Sequence, residues 1–161
     1  MIVKTNLWES ESDSNKIYIH WDPKFELGIP VIDAQHKKLV ELCNTLYQEL
    51  MQTQTTTTPD YKTALAEALH ECVDYVKTHF KDEETLLRAA GYSGYEQQKM
   101  QHEEFVKKIL ETSGTFDKIT FTGGIEFVKF LYSWILTHIA HEDKLYVKPV
   151  LEYYRTLRTQ K

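Results

Sequence analysis

Four histidines in this chain have a spacing that suits metal coordination. His36, His79, His102 and His138 each fall on a separate run in which apolar side chains recur every three or four positions. This period is typical of one face of an α-helix. A single histidine on such a face is more often a hydrogen-bonded core residue than a ligand. Four of them on four helices are better explained by a buried cation, because neutral imidazole is a common metal ligand.

Two carboxylates and an amide accompany these histidines. Glu83 lies four residues after the second histidine and Gln98 four residues before the third, so each shares a helix face with its histidine. Asp143 follows the fourth histidine by five residues. In an α-helix this spacing places the two side chains about 140° apart around the helix axis, so we expect Asp143 at the edge of that face. A buried carboxylate without a partner is costly, and a metal ion would be a suitable partner.

The number and type of these side chains restrict the metal. Six or seven ligands are too many for one tetrahedral zinc site. Mixed imidazole and carboxylate ligands suit iron, manganese or zinc, whereas calcium prefers oxygen ligands alone. Two carboxylates can also bridge two metal ions, with the imidazoles in the outer positions. The sequence therefore indicates a metal cluster in the interior of a helical protein.

Four long helices must position this cluster. The first is expected to begin at Pro30 and to end in the threonine-rich run before Pro59, and the second to run from about Asp60 to Gly91. The third follows a tight turn, and a loop over 113–124 leads to the fourth. The predicted buried face of that last helix consists of Phe127, Leu131, Ile135, His138, Glu142 and Leu145.

This pattern predicts an all-α protein. We expect an antiparallel up-down-up-down four-helix bundle over residues 30–161, preceded by an N-terminal arm, residues 1–29, that packs aromatic side chains on the bundle. Cys43 and Cys72 lie on the predicted core faces and are expected to be buried, reduced thiols. His20 and His70 are expected on the surface.

Composition narrows the range of partners. The net charge of −5, from 19 basic and 24 acidic residues, argues against nucleic acid as the main partner. The apolar stretches are shorter than the roughly 20 residues that span a bilayer, and the first residues do not form a leader peptide, so we expect a cytoplasmic protein without a membrane partner. A monomer is expected, because one bundle can bury every apolar face; a dimer remains open.

The order of the motifs resembles that of the hemerythrins, in particular the bacterial hemerythrin-like proteins, over roughly residues 17–150. The matching pieces are 21-WDPKFELGIPVIDAQHKKL-39, 79-HFKDE-83, 98-QKMQH-102 and 134-WILTHIAHED-143. The family pattern is one histidine on the first helix, then H-x-x-x-E, H-x-x-x-H and H-x-x-x-x-D. Each piece alone is weak evidence, but all four in order, one to a helix, are specific.

The resemblance implies a non-heme di-iron site. His36 and His79 would bind the iron that has an open position for dioxygen, and His102 and His138 would bind the other iron. The two carboxylates, Glu83 and Asp143, would bridge the metals together with a solvent oxygen. The resemblance also implies an apolar pocket over the open iron, at the positions of Phe80, Phe105, Trp134, Ile135 and Ile139.

One residue departs from the family pattern. Gln98 stands where the family has the first histidine of H-x-x-x-H. Its amide oxygen could be a weak ligand, water could take the position with Gln98 hydrogen-bonded to it, or another histidine, such as His141, could move in. Any of these would weaken iron binding and open a second exchangeable position.

Three functions are consistent with this site. The first is binding of dioxygen for storage, delivery or sensing. The second is a peroxidase or oxidase, in which the altered ligand favours reduction of peroxide or dioxygen over reversible binding. The third is a sensor in which iron or oxygen occupancy orders the arm, residues 1–29, for a partner.

Overall fold

A computed structural model describes residues 18–53 and 61–160 of the chain. Its α-helices are α1 (Pro30–Thr53), α2 (Tyr61–Tyr75), α3 (Lys81–Ala89), α4 (Tyr95–Gly114), α5 (Phe121–Trp134) and α6 (Val147–Thr159). Shorter elements are the 3-10 helices Pro23–Phe25, Phe116–Lys118 and Asp143–Tyr146 and the π-helices Val76–Phe80 and Ile135–Glu142.

These segments join into four long helices. The π-helix Val76–Phe80 connects α2 to α3, which makes one second bundle helix. The π-helix Ile135–Glu142 and the 3-10 turn after it connect α5 to α6, which makes the fourth. The predicted antiparallel four-helix bundle is confirmed, and the described ranges contain no strand.

Local sequence signals explain two of the helix ends. Asp33 accepts hydrogen bonds from the backbone N–H groups of Leu27 and Gly28 at 2.8 and 3.0 Å, which satisfies donors at the start of α1. Gly91, predicted to end the second bundle helix, has a φ of +62°. The backbone N–H of the next residue, Tyr92, donates to the carbonyl of Leu87, so a glycine in the left-handed region closes this helix.

The π-helix in the fourth bundle helix corrects the prediction for Asp143. A π-helix takes about one residue more per turn than an α-helix, so residues five apart share a face. Asp143 is therefore fully buried below His138 rather than at the edge of the face. The extra residue also shifts the buried face beyond it. Leu145, predicted to be buried, is 59% exposed, whereas Tyr146 and Val150 are buried.

The buried apolar side chains form two clusters with a polar layer between them. On α1, Ile32 belongs to the smaller cluster and Leu39 to the larger one, with His36 between them. The second bundle helix repeats this order, because Glu83 lies between residues of the larger and the smaller cluster. The smaller cluster consists of Leu27, Ile29, Ile32, Leu87, Tyr146 and Val150. The polar layer is thus enclosed from both sides.

The described part of the N-terminal arm packs on the bundle as expected. The backbone of Ile19 exchanges two hydrogen bonds of 2.8 Å with the side chain of Asn44, and the ring of Tyr18 stacks on Tyr47 at 4.5 Å. Residues 1–17 lie outside the described residues, so the division into an arm of residues 1–29 and a bundle of residues 30–161 stays a prediction. In the part of the chain that is described, no helix is long and apolar enough to cross a membrane.

Candidate metal centre

The seven predicted ligand residues come together in the polar layer, and all of them are buried. Their exposed fractions do not exceed 3%: His36, His79, Glu83, Gln98, His102, His138 and Asp143. Four bundle helices contribute them, as the sequence indicated. Because they are buried, these residues do not belong to a charged patch on the protein surface.

The ligand atoms form two groups that share one carboxylate. In the first, one atom each of His36, His79 and Glu83 lies within 4.8 Å of the other two. In the second, one atom each of Glu83, His102 and His138 lies within 4.8 Å of the other two. Oε2 of Glu83 is 3.6 Å from Nε2 of His79 and 3.0 Å from Nε2 of His102. This carboxylate therefore lies between the two halves of the centre.

Asp143 lies between the other two histidines, His36 and His138. Its Oδ2 is 3.3 Å from Nε2 of His36, and its Oδ1 is 3.1 Å from Nε2 of His138. Each carboxylate thus approaches one histidine from each half. Such an arrangement of two carboxylates between two imidazole pairs suits a pair of cations.

The facing atoms approach each other without forming hydrogen bonds. Nε2 of each of the four histidines, Oε2 of Glu83 and Oδ2 of Asp143 are buried and lack a hydrogen-bond partner within residues 18–53 and 61–160. Buried polar atoms are rarely left unpaired, because each one costs about 1–3 kcal/mol. Imidazole nitrogens and carboxylate oxygens that surround one point are metal ligands, so these residues fit a cation.

Three of the histidines are fixed from their outer side. Nδ1 of His79 lies 2.8 Å from Oε1 of Gln35, and Nδ1 of His138 lies 2.7 Å from Oε1 of Gln101. An acceptor at Nδ1 places the proton there and leaves Nε2 free as an inward lone pair. Neither glutamine is predicted by the helical pattern; the available signal is that each directly precedes a histidine of the layer.

His102 is fixed in the same way by a carboxylate. Its Nδ1 lies 2.8 Å from Oε1 of Glu84, which directly follows Glu83 in the sequence and was also missed. Burial opposes protonation of this ring, but Glu83 and Glu84 outweigh it and raise the pKa of His102. The ring therefore gains electron density from its outer partner, which makes it a more basic ligand.

Burial and neighbouring charges also shift the other ionisable groups of the centre. Burial and the nearby His36 lower the pKa of His79 well below its usual range, so this ring is neutral at pH 7. Burial would raise the pKa of Asp143, but the close approach of the His138 and His36 imidazoles outweighs it and holds that pKa well below the ordinary range. A neutral imidazole and an ionised carboxylate are the forms that bind metal.

Tyr146 is a further member of the centre that the sequence did not reveal. Its side chain is fully buried, and its hydroxyl donates a short hydrogen bond to Oε1 of Glu83. Burial and the charges of Glu83 and Asp143 raise the pKa of Tyr146 well above its usual value, so it remains a donor. The one-residue shift of the π-helix hid this residue, because an α-helical pattern places its neighbour Leu145 on the buried face.

Gln98 takes part through its amide. Its Nε2 donates to Oδ1 of Asp143 at 3.2 Å, and its Oε1 is buried without a hydrogen-bond partner in the described part of the chain. The amide oxygen is therefore available as a ligand. His141 is exposed and does not join the cluster.

The five residues of the predicted apolar pocket lie in the larger core cluster, above the polar layer. The ring of Phe80 stacks on His102 at 3.8 Å, and that of Trp134 stacks on His138 at 3.9 Å. Phe105 contacts both aromatic rings, at 5.5 and 4.7 Å. Ile135 and Ile139 complete the set and are fully buried. The structure thus places apolar side chains against the imidazoles.

Tyr75, which the sequence pattern did not indicate as part of the site, lies beside this pocket. The ring of Tyr75 stacks on His79 at 4.6 Å. Together with His79 it lines a cleft of about 140 Å³ between α1 and the second bundle helix. The α1 wall of this cleft includes Gln35 and Leu39. The cleft therefore reaches His79 and its outer partner Gln35 from the surface.

The remaining cysteines and histidines are placed as predicted. Cys43 and Cys72 are both buried free thiols, and burial raises the pKa of Cys43 to about 12. His20 and His70 are exposed. These four residues are separate from the metal centre.

Comparison with known sequences places the chain in a family. Residues 27–149 match the family model described as "Hemerythrin HHE cation binding domain". A bacteriohemerythrin of Pseudomonas aeruginosa is 34% identical over 133 residues, which covers 83% of this chain and 82% of that relative. A bacteriohemerythrin of Clostridium acetobutylicum is 33% identical over 132 residues, or 79% of this chain and 97% of that relative.

One further relative and one solved structure are also similar to this chain. A hemerythrin-like protein of Naegleria gruberi is 31% identical over 127 residues, or 79% of this chain and 89% of that relative. A crystal structure of a hemerythrin variant matches the fold with a TM-score of 0.67 and 24% identity, over 84% of this chain and 98% of that one. The chain belongs to the hemerythrin family.

Proposed function

We propose that this protein binds two iron ions in the buried layer and binds dioxygen there. The observation that carries the proposal is the position of the two carboxylates. Glu83 lies between His79 and His102, and Asp143 lies between His36 and His138. Family membership supports a metal here, since the family model describes a cation-binding domain, and mixed imidazole and carboxylate ligands suit iron.

In this proposal, the two imidazole pairs hold separate iron ions. His36 and His79 would bind the first, and His102 and His138 the second. Both carboxylates would bridge the ions and offset part of their charge. When bound, a pair of ferrous ions supplies the electrons that dioxygen binding requires.

The protein groups around the ligands would hold the site in place. The outer hydrogen bonds from Gln35, Glu84 and Gln101 orient three imidazoles before any metal arrives. Tyr146 holds one oxygen of Glu83 and leaves the other free to face inward. The apolar side chains on the other side exclude water, which favours a small apolar molecule over solvent.

The test is an anaerobic titration with ferrous iron. The iron retained per chain is counted after desalting, and air is then admitted while the visible spectrum is recorded. We expect two irons per chain and a charge-transfer band that appears with air and fades under vacuum. A protein that retains no iron would contradict the proposal.

A second candidate function is supported by Gln98. An amide is a weaker ligand for iron than imidazole, so the second iron would keep an exchangeable position. This would favour a peroxidase or oxidase that reduces peroxide or dioxygen. In the same titration, two irons that pass directly to a stable ferric spectrum, together with turnover of peroxide by an added reductant, would favour the enzyme.

The proposal also includes the location, the oligomeric state and the partners of the protein. We infer a cytoplasmic monomer with a small ligand, dioxygen or a diatomic or peroxide molecule, and neither nucleic acid nor a membrane as partner. A role for the arm, residues 1–29, as a sensor element depends on its response to iron. Size-exclusion chromatography with and without iron tests both the oligomeric state and that response.

A further inference from the structure

A second cleft leads from the protein surface to the His102–His138 half of the centre. It lies between the second bundle helix and α4 and has a volume of about 490 Å³. His102, its outer partner Glu84 and the ring of Phe80 all line it. His102 and Phe80 are buried, so they belong to its floor. A partner that fills this cleft would therefore contact a predicted metal ligand and the side chains that hold it.

Glu84 and Phe80 join this cleft directly to His102. Oε1 of Glu84 lies 2.8 Å from Nδ1 of His102, and the Glu84 side chain is 23% exposed. The ring of Phe80 stacks on that of His102, with 3.8 Å between the ring centroids and 4° between the ring planes. One hydrogen bond thus separates solvent from an imidazole whose other nitrogen, Nε2, faces the interior of the centre.

Basic side chains surround the opening of this cleft. They are Lys77, Lys81 and Arg88 on the second bundle helix and Lys99 on α4. Lys77 and Lys81 are exposed, and neither has an ion-pair partner among the described residues. The lining side chains carry four positive charges against two negative ones, from Glu84 and Glu103, although the net charge of the chain is −5. The cleft is therefore a positive region on an acidic protein.

Two other clefts show that positive charge and contact with a ligand occur separately elsewhere. The cleft beside His79 reaches a predicted ligand, but Glu71 and Asp74 line it together with a single lysine, Lys38. A groove on α6 is basic, with Lys148 and Arg155, but no residue of the metal centre lines it. The cleft beside Glu84 combines the two properties.

The extent of the positive region favours a protein as the partner. Lys77 and Arg88 are eleven residues apart, which is about 16 Å along a helix. Sites for small molecules are concave and bury most of the ligand. Here the basic side chains of the second bundle helix are exposed instead. An open surface of this length suits the transient docking of a protein that carries acidic side chains.

We propose that this cleft docks an acidic one-electron-transfer protein of the iron–sulfur class, which reduces the centre through Glu84 and His102. Each encounter transfers one electron and oxidises one partner molecule. Two encounters supply the two electrons that convert two ferric ions to two ferrous ions, and no bond within this chain forms or breaks. The inference rests on the proposed iron site and deepens it, because it names the partner that would restore the ferrous state.

The first test measures docking alone. The metal-free, full-length protein is titrated with oxidised [2Fe–2S] ferredoxin, an acidic carrier, by isothermal titration calorimetry at low and high salt. Both proteins have a net negative charge, so salt would strengthen their binding if net charge controlled it. We expect salt to weaken the binding, because local attraction at the cleft is screened.

A charge-reversal variant locates the docking surface. We expect Lys77→Glu combined with Lys81→Glu to bind ferredoxin about tenfold or more weakly than the parent protein. Lys148→Glu combined with Arg155→Glu is the matched control, because it changes the net charge equally and alters a basic groove away from the centre. The control should keep the parent affinity. Both variants replace exposed residues and should keep the parent circular dichroism spectrum and iron content.

The second test measures electron transfer to the iron-loaded, oxidised protein. Reduced ferredoxin is mixed with it anaerobically in a stopped-flow spectrometer. The bimolecular rate constant should fall about tenfold or more in the cleft variant and stay unchanged in the control. The limiting rate at saturating ferredoxin should be the same in all three proteins, because Glu84, Phe80 and His102 are intact.

The outcomes separate this inference from the proposed function. Absence of ferredoxin binding, binding that salt strengthens, or equal affinities of the two variants would overturn the docking surface and leave the iron site standing. A parent protein that retains no iron would overturn the proposed function and the electron transfer with it. Loss of affinity in the cleft variant alone supports the docking surface.

Discussion

Oε2 of Glu83 lies 3.0 Å from Nε2 of His102, and no hydrogen bond joins the two atoms. Each is buried and lacks a hydrogen-bond partner in the described part of the chain. The same oxygen lies 3.6 Å from Nε2 of His79 in the other half of the centre. Glu83 is thus the residue on which both proposed metal positions depend.

Replacement of this carboxylate should therefore abolish the iron pair. We expect Glu83→Ala to retain at most one iron per chain, measured by a colorimetric iron assay after loading and desalting. Glu104→Ala is the matched control, because it removes an exposed carboxylate from α4 and should keep the full iron content. Unchanged iron in Glu83→Ala would show that the site is placed wrongly.

Tyr146→Phe should destabilise the metal-free protein. The change removes the donor to Oε1 of Glu83 and leaves a fully buried carboxylate oxygen unpaired. Such a loss lowers the free energy of unfolding by about 1–3 kcal/mol, measured by urea denaturation. Tyr153→Phe, a half-buried tyrosine on α6, should change it by less than about 0.5 kcal/mol. Equal effects of the two substitutions would contradict the role of the hydroxyl.

Deletion of His141 should be tolerated. This exposed residue lies inside the π-helix Ile135–Glu142, and its removal leaves His138 and Asp143 four residues apart. An α-helix places residues four apart on one face. We expect a folded protein that retains both irons, as judged by circular dichroism and iron content.

Deletion of Ser133 is the control for that experiment. Ser133 is also exposed, but it lies in the α-helical segment α5, where removal of one residue rotates the two flanking parts by about 100° relative to each other. We expect this variant to lose iron and to unfold at a lower temperature. Loss of iron in the His141 deletion as well would show that the π-helix itself, or His141, is required.

Gln98→His should strengthen the second metal position. Gln98 is buried, donates to Asp143 and has a free amide oxygen, so an imidazole here would add a stronger ligand in the same direction. We expect slower release of iron to a chelator than in the parent protein, and faster release in Gln98→Leu, which is similar in size and has no ligand atom. The same release rate in all three proteins would mean that this position does not contact the metal.

The fold and the inner ligands could be predicted because their signals are local. The helical spacing of apolar residues marks the four helices, and histidines on four such faces predict that they meet. The i, i+4 relation of His79 and Glu83 also holds in the structure, although His79 lies in the π-helix Val76–Phe80 and Glu83 in α3. These patterns depend on a regular period, which most of the chain keeps.

The rest of the site depends on departures from that period and on contacts between helices. The π-helix moves Asp143 to the centre and brings Tyr146 rather than Leu145 inside, and nothing in an apolar pattern marks such an insertion. The pairing of Gln35 with His79 joins residues 44 positions apart, so it becomes visible only when the helices are packed. Tyr75, which stacks on His79, could not be recognised because an aromatic residue on a core face usually serves packing alone.

The outer partners of the imidazoles differ between the two halves of the centre. Three rings have an acceptor at Nδ1, whereas neither ring nitrogen of His36 forms a hydrogen bond with any residue in 18–53 or 61–160. The His102–His138 pair is thus held in its binding orientation in advance, and only half of the other pair is. A ring without an outer acceptor lacks the hydrogen bond that selects the metal-binding tautomer. The first ion to enter the protein should therefore settle beside His102 and His138, and the second should complete the pair at His36 and His79.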